Sequence, residues 1–124
     1  MFNPLKLFDS TAREIKRLNK DAPNIVEYAR QCFRVETVRA IADTTRQHLE
    51  RAHAHYPGNR EGWKQAVIDY ERMHREARSG RDDVALTAFT LVLIYIRAEV
   101  QGEACRAARD AIDAFIDEWA QPAG

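Results

Sequence analysis

Apolar residues recur at intervals of three and four along almost the whole chain, and no stretch alternates apolar with polar residues. That pattern predicts helices and no strand. Thr11-Ala12-Arg13-Glu14 has the form of a capping box, in which hydroxyl and carboxylate satisfy each other's backbone donors, so a short helix is expected from Thr11 to near Lys20. Its apolar face, Phe8, Ala12, Ile15 and Leu18, is thin. Asp21-Ala22-Pro23 supplies a second start, because Asp can cap and Pro suits a first turn. From Pro23 to about His55 nothing breaks the pattern, and Ile25, Tyr28, Cys32, Val35, Val38, Ala42, Thr45, Leu49 and Ala52 mark one face. One helix of about 45 Å is expected there. Tyr56-Pro57-Gly58-Asn59 is the strongest turn in the chain, with Asn59 able to cap the next helix. Trp63, Ala66, Val67, Tyr70, Met73, His74 and Ala77 form the apolar face of that third helix. Ser79-Gly80 closes it, with Gly80 suited to a left-handed cap.

The run Val84–Ile96, VALTAFTLVLIYI, departs from this pattern because it has no polar face. Leu91 and Ile94 fill the side that Thr87 begins, so the run is either the central helix of the fold or an interface with another chain. It is too short for the roughly 20 residues that span a bilayer, and Asp82-Asp83 and Arg97/Glu99 bracket it. Beyond it, Ile96, Val100, Ala104, Ala107, Ala111 and Phe115 stay in helical phase across Gly102, and no capping residue precedes Glu103. A single kinked helix from Asp83 to about Trp119 is therefore expected, since an interior glycine costs only about 1 kcal/mol. These elements make an all-α, up-and-down helical bundle of four to five helices, two of them long, in one domain spanning residues 1–124.

Charge adds a second pattern. Residues 1–81 carry 16 basic and 11 acidic side chains, whereas residues 82–124 carry 3 and 8, so a neutral chain is divided into a basic and an acidic part. Arg72, Arg75, Arg78 and Arg81 form a basic ridge, and Asp110, Asp113, Asp117 and Glu118 form an acidic one. The two are expected to meet, within one chain or head to tail between two. Fifteen Arg against four Lys also suits phosphate recognition, which keeps nucleic acid as a disfavoured alternative partner. The opening MFNPLKLF lacks the architecture of a signal peptide, and two cysteines make no disulfide framework, so a cytoplasmic setting is expected.

The candidate chemistry is sparse. Glu50-Arg51-Ala52-His53 and Glu71-Arg72-Met73-His74 repeat the Glu-x-x-His spacing of di-iron bundles, but residue 53 should lie opposite residue 63, leaving His74 about 16 Å away. Both glutamates are expected outside the apolar faces. His48, His53 and His55 cluster near the turn without the i, i+4 spacing that a metal pair needs. With His74 they define the first alternative reading, a metal- or small-ligand-binding bundle. Ser10 and Ser79 sit at expected helix ends, and Cys32 and Cys105 sit on or beside apolar faces, where a thiol is inert.

Leu7-Phe8-Asp9-Ser10-Thr11-Ala12-Arg13-Glu14-Ile15-Lys16-Arg17-Leu18 resembles the opening helix of the SecA translocation motors, where such a segment contributes to membrane and self-association contacts. The resemblance covers a dozen residues and excludes the nucleotide-binding loop, so it implies an amphipathic helix and no motor activity. The sequence thus points to a non-enzymatic interaction module without a cofactor or metal. Its expected partner is itself, as a homodimer, or another protein. The expected interface is Leu91, Ile94 and Tyr95 on the surplus face, with Phe2, Leu5 and Phe8 on an N-terminal arm.

Overall fold

A computed structural model describes residues 4–122, with side chains from residue 11 onward. The described residues form helices α1 (Pro4–Cys32), α2 (Val35–His55), α3 (Arg60–Ser79), α4 (Asp83–Gln101) and α5 (Arg106–Trp119), with a 3₁₀ turn, Gly102–Cys105, between the last two. Cross-contacts give their directions. His48 meets Tyr70 while His53 meets Trp63, so α2 and α3 are antiparallel. Glu71 meets Arg97 while His74 meets Thr90, so α3 and α4 are antiparallel as well. Tyr95 reaches Asp113, which folds α5 back on α4, and α5 runs parallel to α1, from Asn19–Ala108 to Arg30–Glu118. The helices alternate in direction as an up-and-down bundle.

The fold is organised around α4, which packs against α1, α2, α3 and α5. Leu91, Val92 and Ile96 are fully buried, and Leu93 and Ile94 nearly so. The absence of a polar face on Val84–Ile96 is explained inside the chain: this is the central helix. Leu18, Ala22, Val26 and Ala29 from α1, Val38, Ile41, Ala42 and Leu49 from α2, Trp63, Ala66 and Tyr70 from α3, and Cys105, Ala108, Ile112 and Phe115 from the final segment join it in one core.

Several helix boundaries differ from those expected. Residues Thr11–Glu14 and Asp21–Pro23 both lie inside α1, which runs for 29 residues through Pro23. Leu18, Ala22, Val26 and Ala29 are buried on both sides of the proline, so packing holds the helix together across the lost backbone bond. The first break comes instead at Phe33-Arg34, where Arg34 is extended and no side chain caps the following helix. The reason lies in phase. Counted at 3.6 residues per turn, the buried stripe of α1 and that of α2 would sit roughly 150° apart on a continuous helix. Only a break lets both face the same core. Tyr28, Cys32 and Val35, which link the two helices into one apparent stripe, are exposed.

The second correction is at Gly102. It has φ 79° and ψ −145°, a conformation essentially confined to glycine, and the helix ends there. Tyr95 and Asp113 would be about 27 Å apart on a straight helix, yet they are hydrogen-bonded at 3.3 Å. The buried positions after the break are Cys105, Ala108, Ile112 and Phe115, while Ala104 and Ala107 of the expected stripe are exposed. The left-handed residue closing α3 is Arg81, with φ 54°, and Gly80 is right-handed. Asn59 is the cap expected and accepts from the Gly62 N–H, and at the start of α4 Asp82 accepts from that of Ala85.

Candidate functional site

Around α4, helices α1, α5 and α2 form a contiguous wall, with α3 on the remaining side. The large side chains of α3 bridge to α2: the Tyr70 hydroxyl donates to the His48 carbonyl, and Tyr70, His48 and Phe89 stack edge to face or tilted. With the phenol proton so placed, the 3.2 Å contact to His48 Nδ1 requires the imidazole to donate. Toward α1, by contrast, α3 leaves a groove.

The deeper part of that groove is a cleft of about 410 Å³. Its floor is Leu18 of α1 with Leu93 and Ile94 of α4, all buried. Arg17, Arg75, Arg78 and Arg97 surround it, against Asp21 and Glu71. Arg97 donates to Glu71 at 2.5 Å, an ion pair that joins α4 to α3 and divides this cleft from a second one of about 430 Å³ beside Val67, Ile68 and Val100. Glu71, expected outside the apolar face, is instead a half-buried partner for the only arginine of α4.

His74 stands at the cleft wall, with Nε2 3.0 Å from the Thr90 hydroxyl. That hydroxyl gives its own proton to the Leu86 carbonyl at 2.7 Å, so Nε2 must carry the proton of the neutral ring. Nδ1 is left as the ring's free acceptor, with no partner among the described residues. Burial, and then the charges of Arg78 and Arg97, push the His74 pKa below its ordinary value of 6.5. The cleft therefore holds positive potential over an apolar floor.

The other predicted residues are dispersed. Leu91 is covered by helices of the same chain, and Ile94 reaches only the floor of the cleft, so neither offers a surface to a second chain. Tyr95 is half-buried and donates to Asp113; burial and that carboxylate raise its pKa to about 12. Phe2 lies outside the described residues; Leu5 and Phe8 lie on the α1 backbone with their side chains outside them. The two ridges do not meet within the chain. They occupy helices on different sides of α4, and among the described residues no ion pair joins Arg72, Arg75, Arg78 or Arg81 to Asp110, Asp113, Asp117 or Glu118. Glu118 pairs with Arg30, Asp110 with Arg106, and all four ridge arginines are exposed.

The histidines do not converge: His53 donates Nδ1–H to the Leu49 carbonyl and stacks on Trp63, and His55 is exposed. Among the described residues no three His, Cys, Asp or Glu side chains group as a metal site would require. Cys105 is buried, which raises its pKa and leaves it a core residue, whereas Cys32 is exposed rather than core. No described helix is long and apolar enough to cross a membrane.

Arg17, Thr90 and Arg97 are cleft residues that sequence periodicity does not single out. The one available signal is Arg97 itself, a charge that comes after thirteen uncharged positions on the most apolar helix and so requires a partner. Comparison of the chain with family models, curated proteins and solved structures finds no match.

Proposed function

We propose that the chain is a non-enzymatic helical interaction module that associates with itself head to tail. The observation that supports this reading is the outward presentation of two ridges of opposite sign on helices separated by α4, with no ion pair between them among the described residues. A basic surface on α3 and an acidic one on α5 cannot satisfy each other in one copy. Between two copies they can, through unlike surfaces rather than a self-complementary patch. Leu91 and Ile94 are buried and supply no apolar route, and an association carried by the two exposed ridges falls as salt shortens the Debye length.

The test is sedimentation equilibrium at micromolar protein across roughly 0.05 to 0.5 M salt, a range over which the Debye length falls severalfold. The wild-type chain should associate at the low end and dissociate toward the high end. Arg75→Glu with Arg78→Glu should abolish association, and so should Asp110→Lys with Asp117→Lys. Mixing the two reversed proteins should restore a heteromeric complex. A strict monomer at every salt concentration, or a mixture that stays monomeric, sinks the reading.

A further inference from the structure

We propose that the deeper cleft between α1 and α3 binds a small amphipathic anion, an organic phosphate or carboxylate whose apolar body lies on Leu18, Leu93 and Ile94 and whose head meets the arginines. The cleft combines two features that a bundle has no structural reason to combine. Its floor is hydrocarbon, the nearly buried Leu18, Leu93 and Ile94 with the half-buried Ile25, where α1 and α3 do not close on each other. Its rim has four guanidiniums against two carboxylates, and one of those, Glu71, is already engaged by Arg97. Arg75 and Arg78 make no ion pair among the described residues, so their forked donors are open to an oxyanion. The volume, about 410 Å³, falls in the range of small-ligand sites, and a lining in which charged and polar residues outnumber apolar ones suits a ligand with a strongly polar head.

His74 gives the site a reporter. Its neutral ring donates to Thr90 through Nε2, and its low proton affinity comes from burial and from Arg78 and Arg97, with Arg17 and Arg75 adding positive charge nearby and Asp21 and Glu71 opposing them. An anion in the cleft reverses that balance and raises the His74 pKa. Because Arg75 and Arg78 also belong to the basic ridge, an occupied cleft should weaken self-association. By linkage, association should weaken occupancy by the same factor.

The test is calorimetric titration of the full chain with octyl phosphate and octanoate, against inorganic phosphate and 1-octanol, while the His74 imidazole is monitored by NMR across pH. Either amphiphile should bind, more tightly than both controls, and should move the His74 titration to higher pH. Arg75→Gln with Arg78→Gln, on the exposed rim, should weaken binding by at least about tenfold. The Asp110→Lys/Asp117→Lys chain, with its cleft untouched and its association abolished, should bind at least as tightly as the wild type, which separates ligand binding from association. The proposal is overturned if inorganic phosphate or 1-octanol binds as well as both amphiphiles, if the arginine variant keeps full affinity, or if His74 does not respond.

Discussion

Two glycines show how differently one residue type can be required. At Gly62 an added Cβ would meet the Pro57 carbonyl oxygen at 2.2 Å, so the turn closes only because that atom is missing. At Gly102 an added Cβ meets nothing within 4 Å, and the requirement is the backbone itself, with φ 79°. Gly102→Ala therefore tests conformational strain without a clash. It should lower stability by about 1–3 kcal/mol, or straighten the joint between α4 and α5. Denaturant unfolding measures the loss, and fluorescence of Trp119 at the end of α5 reports any rearrangement. Neither role can be read from periodicity, because Gly102 sits in phase with its neighbours and a through-space approach to Pro57 leaves no local mark.

Among the elements, α1 and α5 depart furthest from local expectation. Pro23 lies within α1 on its exposed side, where it removes a helical hydrogen bond to the Asn19 carbonyl. Pro23→Ala restores that bond and should stabilise the chain by about 1–3 kcal/mol, after the smaller cost of a freer unfolded chain. A denaturant midpoint that does not rise would show that the proline is not strained in α1. The start of α5 shows the converse. Cys105 makes no side-chain cap, but Asn19 of α1 accepts from the Ala108 N–H and donates to the Ala104 carbonyl. Arg109 donates to the Ala98 and Gly102 carbonyls at the end of α4. The caps that mark this break come from across the fold, so a search for a capping residue just before Glu103 finds none.

At the scale of the whole molecule, α3 is tied to the bundle at two histidines on either side of it, His48 toward α2 and His74 toward α4. Burial lowers both pKa values from 6.5, with Arg51 adding to the effect at His48 and Arg78 and Arg97 at His74. The folded chain thus binds these protons less tightly than the unfolded chain. Their contribution to stability is complete above pH 6.5 and is lost as pH falls through the lowered folded values. Chemical denaturation between about pH 7 and 5 should show stability declining, and His48→Gln with His74→Gln should flatten that slope. Asp113, raised above 3.8 chiefly by burial, acts in the opposite direction and nearer its own range. A slope unchanged in the double variant would remove the histidines as its source.

Local chemistry in the sequence suffices for the helical class, the turn at Tyr56–Asn59 and the cap at Asn59, and the missing polar face of Val84–Ile96 requires only that something cover it, this chain or another. Each of these arises from local chemistry or from hydrophobicity that must be covered. Tertiary structure decided where the long helices break, because two buried stripes of opposite phase in α1 and α2, and caps borrowed from Asn19 and Arg109, exist only once the helices pack. It also decided which charges meet. The regular arginine and aspartate ridges point outward on separate helices, while Arg97, the first charge after thirteen uncharged positions, finds Glu71 and forms the ion pair that shapes the groove. Periodicity fixes which face of a helix is polar, and only the arrangement of helices around α4 fixes what that face can reach.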